Sequence, residues 1–173
     1  MTDVQLYDDH LTIERNLPAP PEKVWEYLVN PELRQKWFCA GATDDNVDGT
    51  IHLDFDHSRI SNQTPQGLTD CGEPVLMKGT LTAFDPPHRL AFIWHESEGG
   101  ETHVTITLTA RDGGTTLHLV HDRIADAEHK WGVSAGWHAH LDLLVDLISG
   151  QPARDFWGHY GPLEAMYKEL IAG

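Results

Sequence analysis

The sequence predicts an α+β fold in which a curved antiparallel β-sheet wraps a long C-terminal helix and two short N-terminal helices plug one end. Three observations carry this. The stretch Pro20–Trp25 opens on prolines and leads to Asn30-Pro31 and a second apolar run, which reads as two brief helices. Between Thr50 and Arg123, segments of alternating apolar and polar residues are separated by turn formers, the pattern of half-buried strands joined by hairpins. From Ser134 to Gly150, Trp137, Leu141, Leu144, Val145 and Ile148 recur at helical spacing.

Val4 to Leu17 alternates loosely through Leu11 and Ile13 and suits a first strand. Ala19-Pro20-Pro21 ends it, and Val24, Trp25 and Leu28 then share a helical face. Glu32 to Trp37 reads as the second short helix. Thr50–Asp56 exposes Ile51, Leu53 and Phe55 on one side. The polar stretch Ser58–Pro74 reads as a long hairpin loop and a candidate gate over a cavity mouth. Val75–Phe84 and Leu90–His95 flank the turn Asp85-Pro86-Pro87-His88. Thr102–Ala110 presents Val104, Ile106 and Leu108. Asp112-Gly113-Gly114 marks a hairpin, and Thr115–Arg123 returns with Leu117, Leu119 and His121 on one face. Ala125–Gly132 has no decisive period. Ser134 suits an N-cap, Gly150 a helix end, and Pro162–Ile171 a further helix. No linker or repeat divides the chain. Residues 1–173 therefore read as a single domain, with a core at 11–150 and a C-terminal helical extension at 151–173.

Acidic residues outnumber basic ones 27 to 12, giving a net charge of −15 with histidine neutral. Such a field repels phosphate backbones and anionic lipids, so neither nucleic acid nor membrane is an expected partner. Cys39 and Cys71 stand far apart without a CxxC, which argues against a disulfide framework and for a cytoplasmic setting. The N-terminus lacks the basic start and apolar run of a secretion signal, and no apolar run is long enough for a span.

The set PPEKVW, NPELRQKWF, DPPHRLAFIW, GGTTLHLVH and GWHAHLDLL, in this order, resembles the START/Bet v 1-like (helix-grip) superfamily. Within it the chain is similar to the branch named after the activator of Hsp90 ATPase homologue 1-like domain, over roughly Leu11–Gly150. The resemblance implies a helix-grip with a deep, largely apolar cavity, on a fold that hosts binders and enzymes alike. It does not carry Hsp90 activation with it. Eukaryotic activators of that kind have a separate N-terminal domain, and Met1–His10 is not expected to supply one.

Alternation and helical spacing nominate Trp37, Phe55, Phe92, Trp94, Ile106, Leu119, His121, Trp137 and Leu141 as ligand-binding residues. Trp94, His121 and Trp137 lead, because an inward imidazole among aromatics can orient the polar head of an apolar ligand. The competing reading of His121 is a core histidine satisfied within the protein. No catalytic residue, cofactor or metal is assigned. His138 and His140 sit on different helical faces, HExxH and Cys/His zinc patterns are absent, and His138 with Asp142 reads as a surface i, i+4 pair. Ser134 lacks a GxSxG context. The expected activity is binding of a small hydrophobic or amphipathic molecule. The alternatives are a cyclase- or hydrolase-like enzyme using His121, and a stress-related, co-chaperone-like protein-binding module. The aromatic-rich tail, Phe156 to Tyr167, either packs back on the core or forms a homodimer contact.

Overall fold

The structure, a computed structural model, describes residues 3–63, 73–96 and 100–172. The chain opens with a hairpin of β1 (Asp3–Leu6) and β2 (His10–Leu17), where the sequence pattern alone suggests one strand. Asp8-Asp9 breaks the strand, and the Tyr7 amide closes the turn on the His10 carbonyl. Helices α1 (Pro21–Val29) and α2 (Pro31–Arg34) follow, the second capped by the Asn30 side chain accepting from the Glu32 amide at 2.9 Å. This second helix stops three residues short of the expected Trp37.

Strands β3 (Thr50–Phe55), β4 (Val75–Asp85), β5 (Arg89–His95), β6 (Glu101–Arg111) and β7 (Gly114–Asp122) complete the sheet. Its seven strands run in the order β1-β2-β7-β6-β5-β4-β3, every neighbour antiparallel. A 3-10 turn at His57–Arg59 follows β3. Most of the expected gate loop, including Cys71, lies outside the described residues.

Register explains what the concave face holds. Leu11, His121, Val104, Phe92 and Leu81 are successive cross-strand partners, so His121 occupies one place in an otherwise apolar row. The next row along β5 pairs Trp94 with Gly79. A Cβ at Gly79 would stand 2.6 Å from the Ile93 carbonyl oxygen and 3.0 Å from the Phe92 ring, so this strand position has room only for glycine.

The long helix α3 (Ala127–Ile148) lies across this face. It begins earlier than Ser134. Asp126 is the N-cap, accepting from the His129 amide at 2.7 Å, and Ser134 sits mid-helix with its hydroxyl on the Lys130 carbonyl. The two glycines at 132 and 136 hide the helical period from the sequence. Gly150, at φ +70°, stands just past the end as anticipated.

Helix α4 (Phe156–Ala172) also starts early, six residues before Pro162, because Asp155 caps it by accepting from the Gly158 amide at 2.9 Å. It packs on α3 with Phe156 and Tyr167 buried, so the tail folds back on the core and leaves Met166 and Leu170 outside. Among the described residues no helix is long and apolar enough to cross a membrane.

The corner between α2 and β3 is held by a buried guanidinium. Arg34, 1% exposed, donates to the carbonyls of Gly41 and His52 at 2.7 Å and to Thr43 Oγ1 at 2.7 Å. Burial lowers its pKa, and its ring of acceptors replaces the lost water. That clamp fixes the segment that carries Trp37, Phe38 and Cys39.

Candidate functional site

Between sheet and helix lies a cavity of about 360 Å³, in the range of small-molecule sites. The sheet contributes Phe55, Met77, Trp94 and His121. Helix α3 contributes Val133, Gly136, Trp137 and His140. Phe38 enters from the Arg34-clamped corner, His57 from the turn after β3, and Phe156, Trp157 and Tyr160 from α4. Glu73, Val75, Glu96 and His129 complete the lining.

Of the residues nominated from sequence, Phe55, Trp94, His121 and Trp137 line this cavity. Trp37, Phe92, Ile106, Leu119 and Leu141 do not; they lie in the core beside it. Trp37 is displaced by its neighbour: its ring stacks on Phe38 at 5.2 Å, its Nε1 donates to the Tyr27 carbonyl, and Phe38 takes the wall position.

The aromatic walls are ordered. His57, Phe55, Trp94 and His121 follow one another with centroid steps of 5.9, 5.8 and 5.8 Å and successive interplanar angles of 19°, 10° and 14°. Opposite them Trp137 stacks on Phe38 at 4.8 Å and meets Trp94 edge-on at 88°. Phe156 stacks on both His57 and His140 at 4.4 Å.

Four imidazoles, those of His57, His121, His129 and His140, punctuate this apolar surface, and the tautomers of three follow from their partners. Trp137 Nε1, which can only donate, donates a hydrogen bond to His121 Nδ1 at 2.9 Å. Burial, with a smaller push from His129 and His103, lowers the His121 pKa to about 3, so the ring is neutral at pH 7 and its proton sits on Nε2. His140 is within 2.7 Å of the Trp37 carbonyl through Nδ1, and a carbonyl only accepts, so Nδ1 carries the proton. Burial holds His140 well below its ordinary pKa, which leaves Nε2 as an acceptor. His57 Nε2, 3.4 Å away, donates to it. Burial lowers His57 to about 4, so this ring too is neutral and its Nδ1 is a lone pair. The result is a directed relay from His57 through His140 to the main chain.

His57 and His140 were legible and missed. His57 continues the alternation Ile51, Leu53, Phe55 by one more step, and His140 lies within a turn of Trp137. Phe156, Trp157 and Tyr160 carry no such signal, because only the folding back of α4 brings them here.

The other flank of α3 holds a second polar cluster. Asp142 Oδ1 accepts from Arg15 Nε at 2.9 Å; Oδ2 lies 2.9 Å from His159 Nε2, 3.4 Å from Arg154 Nη1 and 3.5 Å from His138 Nε2. The Tyr167 hydroxyl is 3.0 Å from His138 Nδ1. The His138–Asp142 pair is therefore part of a largely buried network and not the surface pair its spacing suggests. Burial pushes the Asp142 carboxyl up, but hydrogen bonds from His138 and His159 and the Arg15 charge outweigh it and hold the pKa well below the ordinary range.

No curated protein matches the chain. Among solved structures it is similar to a protein of Bordetella parapertussis known from solution NMR, at 28% identity and TM-score 0.84, over 96% of this chain and 88% of that one. CalU16 of Micromonospora echinospora shares the fold at 20% identity and TM-score 0.70, over 100% and 97% of the two chains. A Rhodobacter sphaeroides protein does so at 23% and 0.67, over 87% and 99%. The family model described as activator of Hsp90 ATPase homolog 1-like protein matches residues 18–149, from just before α1 to the end of α3 and so including both walls contributed by sheet and long helix; the chain belongs to that family.

Proposed function

We propose that the protein binds a small hydrophobic or amphipathic molecule in the sheet–helix cavity. The observation that carries this reading is the cavity itself, about 360 Å³ in volume, walled mostly by aromatic side chains with a few polar groups, the imidazoles of His57, His121 and His140 among them. Apolar area removed from water contributes about 25 cal/mol per Å², so a ligand seated against Phe38, Phe55, Trp94 and Trp137 gains most of its affinity from burial. The imidazoles favour holding over transforming. Acid–base catalysis works best with a group titrating near the working pH, whereas burial lowers His121 to about 3 and His57 to about 4.

Native mass spectrometry of protein purified without detergent, followed by solvent extraction, tests the reading. The expected result is a retained apolar molecule of defined mass, or uptake of an added apolar probe with quenching of tryptophan fluorescence. A protein that retains nothing and takes up no apolar probe would sink it.

A further inference from the structure

We propose that the cavity accepts a neutral aromatic molecule by two chemically opposite ends: a carbonyl-type oxygen held by the N–H groups of His121 and Trp94, and a hydroxyl held by Nδ1 of His57. This rests on the cavity being a ligand site and adds what the ligand must carry.

The donor end follows from unmet hydrogen bonds. His121 Nε2 bears the ring's proton because Nδ1 is taken by Trp137, yet Nε2 has no partner among the described residues. Trp94 Nε1 is buried and equally unpartnered. The two rings are neighbours in the wall, 5.8 Å apart and within 14° of parallel. Interiors rarely leave one such donor unmet, and here two belong to adjacent cavity-lining rings. A carbonyl oxygen has two lone pairs to offer them.

The acceptor end follows from the relay. The Trp37 carbonyl fixes His140, His140 fixes His57, and His57 Nδ1 is left as a lone pair on a lining residue. That atom can accept from a hydroxyl but has nothing to give a second carbonyl. Phe55 and Trp94 stand between the two ends.

Charge is selected against in both signs. The described lining holds no lysine or arginine and two glutamates, Glu73 and Glu96, so a carboxylate would be desolvated without a counter-ion. A cation would suit the glutamates and the ring faces but would leave the His121 and Trp94 donors unmet.

Titration of tryptophan fluorescence with a matched series decides the matter: naphthalene, naphthol, acetylnaphthalene, an acetylnaphthol with its groups at opposite ends, and the corresponding hydroxynaphthoate. The acetylnaphthol is expected to bind about tenfold tighter than either singly substituted compound, with the naphthoate weakest. His57→Phe should erase the advantage of the hydroxyl alone and His121→Phe that of the carbonyl alone, with naphthalene binding retained in both. Should His121→Phe fail to fold, Trp94→Phe removes the second donor and serves the same purpose. Equal binding of all five, or tightest binding of the naphthoate, overturns the two-ended inference and leaves the cavity reading standing. Failure of every compound, naphthalene included, overturns both.

Discussion

His140 and Asp142 are two residues apart on α3 and almost equally buried, 4% and 9% exposed, yet they stand in opposite electrical surroundings. His140 faces aromatic rings and one carbonyl and is kept neutral. Asp142 faces Arg15, Arg154, His138 and His159 and is kept charged. Burial opposes charge at both places; the number of partners decides whether charge survives. The side of α3 that carries His140 is thus kept neutral, and the Asp142 side fastens β2 and α4 to the long helix.

The largest test of that contrast is Asp142→Asn. It keeps the shape and removes the charge, leaving Arg15, itself 4% exposed, without its counter-ion. Breaking such a pair is expected to cost about 3–5 kcal/mol, read as a lower urea midpoint at unchanged slope. His140→Phe removes a hydrogen bond to the Trp37 carbonyl and a longer one from His57, neither involving a charge, and is expected to cost about 1–2 kcal/mol. Equal losses in the two variants would erase the distinction.

Acid should unfasten the two flanks in sequence. An imidazole depressed by folding binds its proton more readily in the unfolded chain, so its contribution is complete above the ordinary value of 6.5 and drains as pH falls toward about 4 for His57 and about 3 for His121. Asp142 is also depressed, but from 3.8, so its contribution holds until pH falls to about that value and is lost below it. Each group adds at most ~1.4 kcal/mol per pH unit within its own window. Denaturation midpoints followed downward in pH should show His57→Phe flattening the upper limb alone and Asp142→Asn the lower alone. A single limb affected by both would mean the flanks are coupled.

The sequence carried the fold further than it carried the site, for a physical reason. Strands announce themselves by alternation, so Phe55, Trp94 and His121 were placed on the concave face by parity alone, and Trp137 by helical spacing. Phe38 and Trp37 exchange roles because their segment is irregular and is oriented by the Arg34 clamp, which no period encodes. The tail helix supplies a wall through contacts between residues more than ninety positions apart in sequence, such as Asp155 with Ser61 and Asn62. Asp142 looked like a surface residue because its spacing to His138 is visible in the sequence while Arg15 and His159 are near it only after folding.

The smallest expected effects come from two glycines of α3 that sharpen the comparison between wall and exterior. A Cβ at either Gly132 or Gly136 would meet nothing within 4 Å, yet only Gly136 lines the cavity. Glycine inside a helix is disfavoured relative to alanine, so Gly132→Ala and Gly136→Ala should each raise stability by about 0.5–1 kcal/mol in urea denaturation. Their consequences for binding should then part. Gly136→Leu projects a side chain into the cavity and should weaken naphthalene binding at least about tenfold, by the volume it takes from the ligand, while Gly132→Ala leaves it unchanged. A protein-binding role of the sort the family description suggests would be indifferent to Gly136→Leu, because a filled cavity does not alter the outer surface. Retained naphthalene binding in that variant would place the probe elsewhere on the molecule and detach function from the aromatic wall.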